Sequence, residues 1–300
     1  MKTQILHLSD LHVGRSKSEL KNLKRIAKGV NERYGKEKLT ILITGDIVHD
    51  GRRRQYKAAR KALEPLFDND NFNVWSVPGN HDYGWKGNYA EKKRFEHFKR
   101  YFYGPQHIAY PHLDEDDFGN YFIALNSMKA EVEPDDEYLD HLLADGELGL
   151  RQIGNLAGML NTIVEEIGSD RKKRKIIVHL HHHPFIYPDD TWLEENFYEK
   201  GAHWLKDGQG LMGALAGRVD ILLFGHEHRH LDFHDTELRK RYRIPWIFSS
   251  AKSTKKCHEY ALNKEGEATS EVLNSGLLGR LIKIDSKGNV SRETVVFGNK

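Results

Sequence analysis

Residues 39–51 read LTILITGDIVHDG. An apolar run of this length, rich in β-branched side chains and ended by Gly45 and Asp46, reads as a buried strand that stops at a polar edge. The same form recurs along the chain: TQILHLSD (3–10), NVWSVPGN (73–80), NYFIALNS (120–127), KIIVHLHH (175–182), VDILLFGH (219–226) and PWIFSSAK (245–252). Helical spacing lies between several of these runs. Leu20, Leu23, Ile26, Ala27 and Val30 share one helix face, as do Ile153, Leu156, Ala157, Leu160, Ile163, Val164 and Ile167. A further helix fits QYKAARKALEPLF (55–67), ended by the turn residues DNDN. Alternating strands and helices predict an α/β fold with helices covering a sheet.

The predicted organisation is one domain over residues 1–300. Residues 83–118 form an insertion, in which Phe95, Phe98 and Phe102 recur like one helix face and are expected to pack on the domain. A C-terminal β extension over 277–297 alternates apolar and polar residues around SKGN, as an antiparallel pair does. With 30% charged residues and a net charge of only +2, the chain lacks a strongly basic nucleic-acid footprint. The one cysteine, Cys257, excludes an intrachain disulfide framework and a thiolate metal cage. The opening MKTQILHLSDLHVG interrupts any signal-like apolar core, and no apolar run reaches a membrane span. A reduced cytoplasmic setting without membrane contact is the default expectation.

The strand ends carry the chemistry. SDLH offers Asp10 and His12, which point the same way in an extended segment. TGD ends in Asp46, whose two carboxylate oxygens can bridge two ions. PGNHD supplies Asn80, His81 and Asp82, and FGHEHRH repeats the i, i+2 arrangement with His226 and His228. Any one of these pairs occurs by chance, and histidines are common on protein surfaces. Hard or borderline ligands at four separate strand ends are hard to explain that way, because sites in parallel sheets form at the carboxyl ends of strands.

The ordered set SDLH, GDIVHDG, GNHD, LHHHP and GHEH resembles the calcineurin-like metallophosphoesterase superfamily, from about Ile5 to Arg229. TGDIVHDGRRRQYKAARKALEPL, DGELGLRQIGNLAGML and GHEHR are similar to the branch holding class III cyclic-nucleotide phosphodiesterases. The resemblance implies a four-layer α/β/β/α sandwich with a binuclear metal site at the strand ends. It implies Asp10, His12 and His228 on one ion, Asn80, His226 and a histidine of LHHHP on the other, and Asp46 between them. In family members that histidine stands two residues before the proline, which is His182 here. Strand alternation then turns His181 and His183 elsewhere, with His179 and His181 packed or hydrogen-bonded and His183 left open.

The resemblance assigns His81 to protonating the leaving alkoxide or binding phosphate. Asp82 either orients a site histidine or caps the following turn. Arg229 is a further candidate near substrate. Two divalent or trivalent transition ions are implied, with manganese or iron favoured by family habit; zinc, cobalt and nickel also suit nitrogen and oxygen ligands. The leading expectation is hydrolysis of a small phosphodiester, a cyclic nucleotide first, by hydroxide made available on the ions. The alternatives are a nuclease, since HLSDLHVG also looks like an exonuclease-branch opening, or a phosphomonoesterase. Nucleic acid as a partner is therefore possible but not favoured, and the intact ligand set argues against a non-catalytic scaffold. Specificity is expected in residues 83–117 and 185–206, and His112, His203 and His234 are outside candidates for approaching the site.

Overall fold

The computed structural model describes residues 3–84, 91–103, 109–128, 145–187 and 205–298. Two six-stranded sheets are stacked with helices outside both. The first sheet has the order β10 (Cys257–Leu262), β11 (Ala268–Ile284), β1 (Thr3–Leu8), β2 (Leu39–Thr44), β3 (Phe72–Val77), and β12 (Val290–Phe297) also pairs with β11. The second runs β4 (His112–Glu115), β5 (Tyr121–Ala124), β6 (Ile176–His179), β7 (Ile221–Phe224), β9 (Trp246–Ser249), β8 (Leu231–Asp232). Strands β1, β2 and β3 are mutually parallel, as are β5, β6, β7 and β9. Each parallel set therefore delivers its carboxyl ends to one edge.

Strand alternation builds the layers. Leu6 and Leu8 of β1 and Ile41 and Ile43 of β2 join the cluster under the first set of helices. Ile5 and Leu42 instead meet Phe122, Ile177, Ile221, Leu223 and Phe248 between the sheets. Ile176 and Val178 of β6 and Leu222 and Phe224 of β7 face the other helices. This is the α/β/β/α sandwich expected from the sequence.

The helix Lys17–Tyr34 begins at Ser16, whose hydroxyl accepts from Ser18 N at 3.2 Å, and it buries Leu23, Ile26, Ala27 and Val30. Burying each of the leucine, isoleucine and valine chains contributes roughly 1.5–3 kcal/mol. The helix Leu150–Ile167 buries Leu156, Leu160, Ile163 and Ile167 against the second sheet. The helix expected over 55–67 is instead two pieces, Arg53–Ala62 and Glu64–Phe67. Pro65 explains the break, since it has no N–H to donate and its ring collides with the preceding turn.

Within the insertion, Phe95 and Phe98 are fully buried, and Phe95 stacks on Tyr83 at 4.4 Å. The C-terminal pair β11–β12 forms around Asp285–Asn289, and β11 also lies antiparallel to β1, so both chain ends share one sheet. Among the described residues, no helix is long and apolar enough to cross a membrane.

Candidate metal centre

Five strand ends from the two sheets converge at one place. They carry Asp10 and His12 after β1, Asp46 after β2, Asn80 after β3, the histidines 181–183 after β6, and His226 and His228 after β7. Backbone geometry marks the convergence. Among the described residues, six other than glycine have a left-handed φ: Asp10, His12, Asp46, His226, His228 and Arg243. Five of these six are candidate ligands, and each such conformation costs on the order of 1–3 kcal/mol. Strain gathered on the chemically active residues is characteristic of a functional site. Two glycines permit the close approach. A Cβ on Gly79 would lie 2.3 Å from Asp46 Oδ1, and one on Gly225 would lie 2.6 Å from Asp10 Oδ2.

The side chains fall into two donor sets that share Asp46. In the first, His228 Nε2 lies 3.3 Å from Asp10 Oδ1 and 2.9 Å from His12 Nε2, while His12 Nε2 lies 3.5 Å from Asp46 Oδ2. In the second, His181 Nε2 lies 3.1 Å from Asn80 Oδ1, 3.2 Å from His226 Nδ1 and 3.5 Å from the other Asp46 oxygen, Oδ1. His181 Nδ1 donates to the Thr44 carbonyl at 2.8 Å. A neutral His181 therefore presents a lone pair at Nε2, towards a carbonyl and a carboxylate that also carry lone pairs. Acceptors facing acceptors in a buried space call for a cation. Ligand atoms of His181 lie within 4.8 Å of those of Asp10 and Asp46, as do those of His228 with Asp10 and His12.

The electrostatics point the same way. Asp46 is pushed well above the carboxylate range by burial and by the charges of Asp10 and Asp82. Burial acts to raise Asp10 as well, but the imidazoles of His228 and His181 outweigh it and hold Asp10 low. Burial holds His12 well below the usual imidazole value, so it is neutral and able to ligate at neutral pH.

The sequence description of the calcineurin-like phosphoesterases matches residues 3–230, a span holding all of these groups. The chain belongs to this family. Its members are metal-dependent phosphoric ester hydrolases that use two metal ions. Among solved structures, a dimetal phosphatase from Danio rerio is similar with a TM-score of 0.57 at 13% identity, covering 99% of each chain. GAP50, described as the anchor in the inner membrane complex of Plasmodium, is similar with a TM-score of 0.52 at 14% identity, covering 100% of this chain and 90% of its own. At those identities the likeness concerns the fold. No curated protein matches by sequence.

As a metallophosphoesterase, the chain departs from the sequence expectation at LHHHP. His181, expected to turn away, is the ring that faces Asn80, Asp46 and His226. His182, expected in that place, is fully buried and shares a 2.7 Å hydrogen bond between its Nδ1 and Ser127 Oγ. One ring nitrogen of His182 still falls within 4.8 Å of those of His181 and His226. The physical reason is that β6 ends at His179, so the period of two that set the register does not extend through residues 180–183. His183 stacks on Tyr187 at 5.3 Å, and the Arg229 guanidinium lies 4.8 Å over the same ring, which places Arg229 on the His183 side of the centre. His179 is buried between the sheets, as the packed reading required.

His81 lies at the edge of the two sets, its Nε2 3.9 Å from Asp46 Oδ2. Its Nδ1 donates to the His49 carbonyl at 2.7 Å, which directs Nε2 inward. Burial pushes its pKa down to about 4. Asp82 does not touch the His81 ring. Its carboxylate accepts from Gly79 N at 3.0 Å, Ile47 N at 3.1 Å, Val48 N at 3.2 Å and Tyr56 Oη at 2.9 Å. It therefore caps the turn and also ties down the loop carrying Asp46, with its own pKa pushed up to about 6 by burial.

Sequence reasoning missed His49, whose ring stacks on His81 at 4.9 Å. Its signal was available, since it stands three residues after Asp46 in the same motif. The Thr44 carbonyl and Ser127 hydroxyl had no sequence signal at all. His112 pairs with Asp114 on β4, and His234 stacks on Trp246 at 3.6 Å, so neither belongs to the centre. His203 lies outside the described residues, as do 85–90, 104–108 and 188–204 of the expected specificity segments.

Proposed function

We propose that the chain is a binuclear phosphodiesterase acting on a small phosphodiester, with a cyclic nucleotide as the first candidate. The observation that carries the binuclear reading is the division of Asp46: one oxygen faces His12 and the other faces His181. Asp10, His12 and His228 would hold one ion, Asn80, His181 and His226 the other, and Asp46 both. Manganese or iron is favoured by the resemblance, and the thiolate-free donors also suit zinc, cobalt or nickel. When bound, the ions supply Lewis acidity to the phosphoryl oxygens and lower the pKa of water.

The residues of the chain do the remaining work. His181 and His81 are held in single tautomers by the carbonyls of Thr44 and His49, which aims one nitrogen of each inward. With a phosphate bound, His81 takes up a second proton, at Nε2, and passes it to the leaving alkoxide, returning to its neutral Nδ1–H form. Burial favours its neutral form, and the negative charge of a bound phosphate supplies the field that raises proton affinity at that atom. The diester preference is supported by the GDIVHDGRRRQYKAARKALEPL and GHEHR stretches, similar to the class III branch.

The test pairs elemental analysis of metal-reconstituted protein with kcat/KM on bis-(p-nitrophenyl) phosphate, p-nitrophenyl phosphate and a cyclic nucleotide. Two ions per chain and a diester preference are expected. One ion at saturation would overturn the binuclear reading. Faster monoester turnover would replace the diesterase by a phosphomonoesterase, the activity class that the name of the Danio rerio neighbour carries.

A further inference from the structure

The segment Ser250–Thr254 follows β9, lies beyond residues 3–230 and contributes none of the motif residues, yet all five side chains are buried. It runs along the turn that carries Asp10. Ser253 N donates to Ser9 O at 3.0 Å, and Ser9 N donates to Ser253 Oγ at 3.1 Å. Thr254 Oγ1 donates to Leu11 O at 2.8 Å. Both chain neighbours of Asp10 are thereby gripped by residues some 240 positions away.

Lys252 opens this clamp and is only 3% exposed. Its ammonium pairs with Glu19 Oε1 at 3.0 Å, and Glu19, 6% exposed, also accepts from Ser16 Oγ at the start of the helix Lys17–Tyr34. Asn22 on the same helix donates to Thr254 O at 2.9 Å. A buried ion pair is a costly way to join a helix to a loop, since apolar residues of similar volume do so at least as well. What apolar residues cannot supply is charge. Lys252 directly precedes Ser253, which is hydrogen-bonded to the residue before Asp10, so the lysine charge is held beside the donor set. That charge bears on His12 and Asp46, whereas Glu19 is not among the leading influences on either.

We infer that Lys252 and Glu19 form a charge-setting pair for the metal centre. Lys252 is a positioning residue: it anchors the clamp on the Asp10–His12 turn, and its fixed positive charge, moderated by Glu19, limits how tightly the neighbouring donor set holds a cation. The inference rests on the proposed reading that Asp10, His12 and His228 hold an ion.

The test measures Mn²⁺ affinity of the full-length apoprotein by competition with a chromophoric chelator, with thermal melting of each variant as a folding control. Lys252→Met removes a cation beside the site and is expected to tighten Mn²⁺ binding by about tenfold, the scale of one unit charge acting through a partly screened protein interior. Glu19→Gln leaves the lysine charge unmoderated and is expected to weaken binding by a smaller factor, about two- to threefold, because Glu19 is not among the leading influences on His12 and Asp46. The double variant Glu19→Leu with Lys252→Met leaves no buried charge without its partner, so it covers the case in which a single variant does not fold. It is expected to bind more tightly than wild type, because the lysine is the charge felt at His12 and Asp46.

A purely structural pair would move every variant towards weaker binding, and that result, or unchanged affinity in all three, would overturn the inference. Failure of the wild type itself to take up two ions is a separate result. It would remove the proposed function rather than the role of the pair.

Discussion

His179 offers a measurable consequence of packing histidines between two sheets. Its ring, 1% exposed at the end of β6, makes no hydrogen bond through either nitrogen among the described residues. Burial pushes its pKa from 6.5 down to about 4. The folded state therefore resists a proton that the unfolded chain accepts. For a depressed imidazole the contribution to stability is complete above about pH 6.5 and is lost as pH falls through 6.5 towards 4. Between pH 7 and pH 5 the unfolded chain gains about 0.7 of a proton at this site and the folded protein only about 0.1. Linkage converts that difference into about 2 kcal/mol of lost stability.

His179→Leu keeps the volume and removes the titrating group. At pH 7 the variant should be no less stable than wild type, because an unsatisfied buried ring is replaced by an apolar one. At pH 5 it should be more stable by about 2 kcal/mol beyond any difference at pH 7. Urea unfolding of both proteins at the two pH values, in chelator and followed by circular dichroism, measures this directly. Parallel pH dependence in the two proteins would refute the reasoning. His7, fully buried and pushed down to about 3, would keep contributing its own acid lability in both.

Three further outcomes follow from the centre. His181→Ala should lower metal occupancy and abolish most turnover, whereas His182→Ala should do so less; the reverse order in elemental analysis would restore the register expected from the sequence. Asp46→Asn should weaken both ions because each carboxylate oxygen faces a different donor set, while Asn80→Ala should empty mainly one, as read by metal titration. His81→Ala should keep near-normal metal content while kcat falls about 10²–10⁴-fold. That loss should be larger for an alkoxide leaving group than for a nitrophenolate, and equal losses on both would assign His81 to binding phosphate charge instead.

The seven sheet-forming runs and the ligand-bearing strand ends were legible because their determinants are local. An apolar run ending in Gly-Asp or Gly-His states both that a strand is buried and that its exit is polar, and alternation along β1 and β2 sorts side chains between two layers. Asp10, His12, Asp46, Asn80, His226 and His228 could accordingly be named as candidate donors before any coordinates. The choice between His181 and His182 could not. It depends on β6 ending at His179, and the strand end is set by where its neighbours stop pairing. The partners of Asp82, which lie on the Asp46 loop and at Tyr56, were equally hidden. The clamp of residues 252–254 on the Asp10 turn depends on β9 and β1 belonging to different sheets whose ends meet. Local sequence specifies which side chains can bind a metal, because that is a property of residue type and spacing. Only the tertiary fold decides which of them share an ion and which groups hold them, because hydrogen bonds and charges act through space across positions hundreds of residues apart.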